Sequence, residues 1–236
     1  MRSRDLALAV LLFAGVVVHA APPTRLAILR ACGDADSPAQ CERLIEADQI
    51  RQYPNIASRA GGVLRLRTKS GPPIELRDNG TPGTDDERPD FRAYAFWDYW
   101  YIGNAAVVSV ASRSSDHYLV IDLNRGTQTK LSAEPVQSHD GSRFLVVDMC
   151  ETRCSNTIEI WNHDRDRIYR ERWYRPKEKW YEADVRWKDA FALEVEYSVA
   201  VGNAPAEGET GPPLSRERSR LLPLSDRVWT VDESPR

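Results

Sequence analysis

Serine, histidine and carboxylate side chains at neighbouring positions suggest nucleophilic chemistry, and the chain carries two such groups, Ser115-Asp116-His117 and Ser138-His139-Asp140. A serine hydrolase needs more than the right side chains. Its serine must sit on an oxyanion-binding turn, and no Gly-x-Ser-x-Gly segment occurs. Adjacent residues of a strand also point to opposite faces, so three in a row cannot converge on one proton. His139-Asp140-Gly141 therefore reads as a turn entering a strand, and no catalytic residue is expected. Asn162, Asp164 and Asp166 alternate like the opening of a calcium loop. The loop then fails, because Arg167 stands where a sharp turn needs glycine and Trp173 where a bidentate glutamate belongs. Zinc is disfavoured too: Cys150 and Cys154 have no second ligand pair at finger spacing. Asp85-Asp86-Glu87 and Glu207-Gly208-Glu209 lie in loop-like stretches and read as solvation. Neither a metal nor a cofactor is expected.

The densest unusual chemistry is aromatic. Between Phe91 and Tyr101, seven of eleven residues are Phe, Tyr or Trp. Strand alternation places Trp97, Tyr99 and Tyr101 on one side and Phe96, Asp98 and Trp100 on the other, and both rows can be buried only if the strand lies between two layers. Otherwise one row offers stiff, wide contact area to a protein groove or a sugar face. A second aromatic group, Trp173, Tyr174, Trp180 and Tyr181, brackets Arg175–Lys179. The candidate binding residues are Trp97, Tyr99, Trp100, Tyr101 and Trp180.

The compartment follows from the first twenty residues. Arg2 and Arg4 precede an apolar run from Leu6 to Val18, and Val18-His19-Ala20 places small residues where a signal peptidase reads them. The run is too short to span a bilayer, so residues 1–20 are expected to be a signal peptide cleaved after Ala20, leaving a periplasmic or secreted protein with no membrane segment. Leu29-Arg30-Ala31-Cys32 only loosely imitates a lipidation site, since arginines and prolines separate it from the apolar run. Removing residues 1–20 leaves 30 basic and 34 acidic side chains, net −4. This mild acidity and the lack of a long basic stripe argue against nucleic acid as a partner. In an oxidising compartment the cysteines should pair. Spacing favours Cys32 with Cys41 and Cys150 with Cys154, the second pair facing each other across a hairpin.

These residues need elements to position them. Ser37-Pro38-Ala39-Gln40 has the form of an N-cap, a first-turn proline and a capping-box glutamine, which predicts one helix to about Gln52. From Gly62 onward the helical period disappears. About thirteen short β-rich runs follow, separated by Gly, Pro, Asn and Asp, with surface loops at 79–90 and 200–214. The expected organisation is a signal segment at 1–20, an N-terminal segment with the helix at 21–61, and one all-β domain at 62–236.

One internal echo stands out. Tyr118-Leu119-Val120-Ile121-Asp122-Leu123-Asn124-Arg125-Gly126 is similar to Asn156-Thr157-Ile158-Glu159-Ile160-Trp161-Asn162-His163-Asp164, and Asp140-Gly141 with the apolar run Phe144–Val147 stands ahead of the second copy. Trp187-Lys188-Asp189-Ala190-Phe191-Ala192-Leu193 is a weaker third instance. An Asp-Gly turn, an apolar strand and a strand ending Ile-Glu-Ile-Trp resemble the blade units of WD40-like β-propellers. The pattern is also similar to that of small exported bacterial proteins with no assigned activity. The resemblance implies a small or incomplete β-propeller-like array of antiparallel sheets, whose blades bury both faces against their neighbours. Thirteen strands make only three to four blades, so a sandwich stays open beside an irregular propeller.

These features point to a non-catalytic exported protein that recognises a macromolecular partner, most simply another periplasmic or secreted protein, in an inhibitor- or immunity-like role. The alternative is a protein that binds or hydrolyses cell-wall glycans, with exposed rings stacking on sugar and two carboxylates doing acid and base work.

Overall fold

The computed structural model describes residues 32–34, 37–149, 154–164, 167–177, 180–200 and 214–231. The expected signal segment, Cys150 and Asp166 lie outside them. The helix forms where the capping signal stands: α1 spans Pro38–Gln52, and Ser37 Oγ accepts from Gln40 N at 3.3 Å. A short 3-10 turn at Cys32–Asp34 precedes it, and the Cys32–Cys41 disulfide ties the two together. None of the helices among the described residues is long and apolar enough to cross a membrane.

The rest is β structure in four antiparallel sheets. Sheet A holds β1 (Ala57–Ala60), β2 (Val63–Leu66) and β3 (Ile74–Arg77) in that order. Sheet B holds β4 (Arg92–Trp100), β5 (Ala105–Ser112), β6 (His117–Asp122) and β7 (Gln128–Leu131), again in chain order. Sheet C is built from β8 (Pro135–Gln137), β9 (Arg143–Asp148), β10 (Thr157–Asp164) and β11 (Arg167–Tyr174), extended beyond β11 by the C-terminal β15 (Thr230–Val231). Sheet D is β12 (Trp180–Asp189), β13 (Ala192–Ala200) and β14 (Leu214–Pro223). β1, one of the shortest strands, lies ahead of Gly62, where the predicted β runs begin.

The sheets stack in chain order, and period-two alternation assigns each residue to one seam. Along β5, Ala106 and Val108 face sheet A, where they meet Leu64, Leu66 and Leu76. Ala105 and Val107 face sheet C and meet Phe144 and Val146. Along β9 the next residue, Leu145, turns to sheet D and joins Val195, Leu193 and Trp187. Each buried Val, Leu or Phe side chain among these contributes roughly 1.5–3 kcal/mol. Sheets A and D differ from the inner two. The outer face of A carries Arg65 paired with Glu75, and that of D carries Arg186 between Glu194 and Glu196. The expectation that every sheet buries both faces holds for B and C alone. Two solvated outer faces leave nothing for A and D to exchange, and no ring closure is found among the described residues.

The first strand of sheet B faces a particular difficulty, because β4 is the sheet's edge and its outward N–H and C=O groups need partners. Helix α1 covers this edge. Glu46, only 2% exposed, accepts the Phe96 N–H at 2.9 Å, and Asp78 accepts the Tyr94 N–H at 2.9 Å. Arg43 and Arg59 donate to the Tyr94 carbonyl and to both carboxylates, closing a four-charge network. Beside it, Glu42 is aimed at Ser109 of β5. Burial pushes its carboxyl up to about 7 against the lowering effect of the Ser109 hydrogen bond, and the nearby Asp116 raises it further.

Because the folded protein holds the Glu42 proton more tightly than the unfolded chain, the associated stability is fully present below about pH 4.5 and is lost as pH rises through about 7. Glu42→Gln, which copies the protonated form, should match the parent near the acid end and exceed it by up to about 3 kcal/mol above pH 7. Urea unfolding of both proteins across that range checks this, and parallel stability curves would contradict it.

Candidate functional site

Because consecutive strands are joined as hairpins, their turns fall alternately at the two ends of the stack. At one end, a hydrogen bond from Lys69 crosses from sheet A to sheet B, and within each of sheets B and C a backbone bond continues the ladder into the turn. Lys69 N donates to Leu123 O at 2.8 Å, Leu123 N to Asn104 O at 3.0 Å, and His163 N to Ser142 O at 2.9 Å. In sheet D, Leu224 N donates to Phe191 O at 2.8 Å. The Tyr101 turn displays two highly exposed large apolar side chains, Tyr101 at 86% and Ile102 at 54%, and Phe191, at 72%, stands at the β12–β13 turn of sheet D.

The β4–β5 turn that carries Tyr101 is held by a chain of polar contacts. Tyr99 Oη donates to Asn104 Oδ1 at 2.9 Å, Asn104 Nδ2 to Asn124 Oδ1 at 2.9 Å, and Asn124 Nδ2 to Gly103 O at 3.2 Å. The Gly103 carbonyl can only accept, which fixes the direction of the whole chain. Asp122 caps the adjacent turn by accepting from Asn124 N at 2.7 Å and Arg125 N at 3.3 Å. Below the turn, His163 of β10 lies 7% exposed against Gly103, with its ring centroid 6.0 Å from that of Trp100. Burial lowers the imidazole's affinity for a proton, and its Nδ1 has no hydrogen-bond partner among the described residues. It serves as a packing block between sheets B and C. Gly103 is required twice over, by a φ of +92° and by a Cβ position 2.1 Å from His163 Cε1.

The expected recognition row narrows accordingly. Trp97, Trp100 and Trp180 are buried, and they offer no face to a partner in this conformation. Strict alternation is broken by a bulge between Phe96 and Asp98, which puts an extra residue into β4. Trp97 and Trp100 therefore share the seam with sheet C, while Phe96 and the half-buried Tyr99 turn to sheet A. Trp97 Nε1 donates to Glu134 Oε1 at 2.8 Å, and Trp180 stacks on Tyr197 at 4.0 Å between centroids. Tyr101, beyond the end of β4, is left pointing outward. Ile102 and Phe191 escaped the sequence reading because nothing local distinguishes a tip residue from a strand residue.

The opposite end carries a polar cleft of about 740 Å³, lined by Ser112, Arg113, Asp116, His117, Lys130 and Asp148 among others. It contains the first Ser-Asp-His cluster, and the geometry is that of a turn. Asp116 Oδ1 accepts from Ser112 N at 3.1 Å, and His117 Nδ1 lies 3.4 Å from the Ser115 carbonyl rather than against a hydroxyl. Asp148 Oδ2 accepts from both Ser155 N and Ser155 Oγ, at 3.1 and 2.7 Å. In the second cluster Ser138 Oγ donates to Asp140 Oδ1 at 2.7 Å, and this bond, with those from Ser142, holds the Asp140 carboxyl below its usual range. His139 is exposed and takes no part in it. The Cys150–Cys154 pairing and the Asn162, Asp164, Asp166 loop reach outside the described residues.

Comparison with protein-family models, curated proteins and solved structures returns no match.

Replacing Gly103 with alanine should destabilise the protein by about 2–4 kcal/mol, from overpacking against His163 plus a left-handed backbone strain. Gly126→Ala shares the sign of φ, at +76°, but its nearest contact is 3.8 Å from Ile74, so it should cost only about 1 kcal/mol. Thermal unfolding of the two variants separates the contributions, and equal losses would remove the packing role assigned to His163.

Proposed function

We propose that this chain is a non-catalytic exported binding protein that recognises another protein through the hairpin-tip face around Tyr101. The observation that carries the reading is the 86% exposure of a tyrosine on a turn fixed by the Tyr99–Asn104–Asn124–Gly103 chain. A large ring exposed to water by a rigid support is already ordered, so little conformational entropy is lost when a partner covers it. Ile102 adds apolar area on the same turn. The stacked sheets, propeller-like in their order, supply a stiff base on which loop tips can be varied for recognition.

The enzymatic alternative draws less support. Both Ser-Asp-His groups are engaged as turn clasps, and Asp116 and Asp148 each hold a backbone N–H. An inhibitor- or immunity-like role fits a small exported scaffold with one recognition end, an argument from architecture and compartment.

Affinity capture from the exported fraction of the source cell, followed by binding measurements on the captured protein, tests the proposal. Tyr101→Ala should weaken the complex by at least about tenfold, as expected of an interface anchor. Leu44→Ser, an exposed apolar position on α1, should leave affinity unchanged. A complex indifferent to Tyr101→Ala and Ile102→Ser would overturn the assignment of the face.

A further inference from the structure

We propose that two copies of this chain pair antiparallel along the open edge of β12, about a two-fold axis through Val185, in an interface that shares no residue with the Tyr101 turn. β12 ends sheet D, and among the described residues no strand pairs with its other side. At ten residues it is longer than the edge strands β1 and β7, of four each, and β8, of three beginning with Pro135. Bulges lie near its two ends, between Trp180 and Glu182 and between Trp187 and Asp189, so Glu182–Trp187 is a regular run without proline. A run of this kind is a template for another strand.

The groups that face outward follow from the ladder. Leu224 N donates to Phe191 O, so alternation turns the N–H and C=O of Leu193 and Val195 toward β14 and those of Glu194 and Glu196 toward β12. Their partners Arg186 and Asp184 direct their own groups to β13. Those of Ala183, Val185 and Trp187 therefore point away from the sheet. Side chains alternate as well: Asp184 and Arg186 are exposed on the outer face, whereas Val185 and Trp187 are buried toward sheet C.

About an axis through Val185, Ala183 of one copy stands opposite Trp187 of the other and Val185 opposite itself, and each of these pairs exchanges both backbone hydrogen bonds. Between them Asp184 faces Arg186 at the closer spacing of a non-hydrogen-bonded pair, and the Glu182 and Lys188 positions fall opposite each other. Charge singles out this register. An axis at Asp184 or Arg186 sets that charge against itself, one at Ala183 sets Glu182 against Asp184, and one at Trp187 sets Arg186 against Lys188. β14, the other edge of sheet D, has no such pattern, since its outer-face positions Ser219 and Leu221 carry no charge.

Arg186 is prepared for the contact. Glu194 and Glu196 of β13 hold its Nε and Nη2 at 3.0 and 2.9 Å, while among the described residues Nη1 has only Asp184 of its own strand, at 3.6 Å. Asp184 has only that long contact and keeps a side chain 68% exposed. The second copy's Asp184 completes the guanidinium, and the second copy's Arg186 completes Asp184.

Sedimentation equilibrium of the purified chain over a concentration series tests the pairing. A monomer–dimer equilibrium is expected, with the Val185 amide exchanging more slowly as concentration rises. Asp184→Lys and Arg186→Glu each set like charges across the axis and should weaken dimerisation at least about tenfold. Mixed in equal amounts, the two variants should dimerise again, because every cation of one then faces an acid of the other. Both substitutions are at exposed positions, and thermal unfolding of each variant checks that it is folded. A monomer throughout the series, a dimer that survives both substitutions, a mixture of folded variants that stays monomeric, or a Val185 amide indifferent to concentration would overturn the inference.

Discussion

A strand at the edge of an inner sheet must bury both its faces and still find partners for the backbone groups along its open side. β4 meets this constraint with four charged side chains from three elements: Arg43 and Glu46 of α1, Arg59 of β1 and Asp78 just beyond β3. Carboxylates take the Tyr94 and Phe96 N–H groups and guanidinium groups give to the Tyr94 carbonyl. Charges buried to this degree are tolerable only when each is both paired and hydrogen-bonded, and here each is. The network seats the helix, joins sheet A to sheet B and closes an edge that would otherwise invite another strand.

From that junction the rest of the architecture follows. With β4 sealed, sheet B has one face for A and one for C, and sheet C repeats the arrangement toward D. Trp187 Nε1 donating to the Val136 carbonyl at 3.0 Å adds a polar tie between C and D. The polar outer faces of A and D end the series, so the molecule is a finite stack with two ends of turns. Rigidity at the tip end comes from the same seam: His163 fills the space under Gly103, and the turn above it exposes Tyr101 as a consequence.

The sequence displayed some of this and hid the rest for definable reasons. Ser37 and Pro38 mark the start of α1 because capping is local chemistry. The β runs are legible because alternation and turn residues are local as well, and the echo between Tyr118–Gly126 and Asn156–Asp164 coincides with β6 and β10, the third strands of sheets B and C. The bulge at Trp97 is not written in any short pattern, and it exchanged the faces of Tyr99 and Trp100. The charge network is more distant still: apart from the Arg43–Glu46 pair on α1, it joins residues separated by 13 to 51 positions. Exposure of Tyr101 could be named as a candidate from its type. That it is exposed while Trp97, Trp100 and Trp180 are buried depends on where a strand stops, which only the fold decides.

Native-state hydrogen exchange at the Tyr94 and Phe96 amides addresses the sealing of β4 directly. If buried carboxylates hold these groups, both should exchange as slowly as the amides of Val107 and Val108 in the centre of sheet B, with opening tied to global unfolding. Exchange as fast as that of the exposed turn at Arg113–Ser115 would mean that the edge is open, and the account of how α1 and sheets A and B are joined would fail.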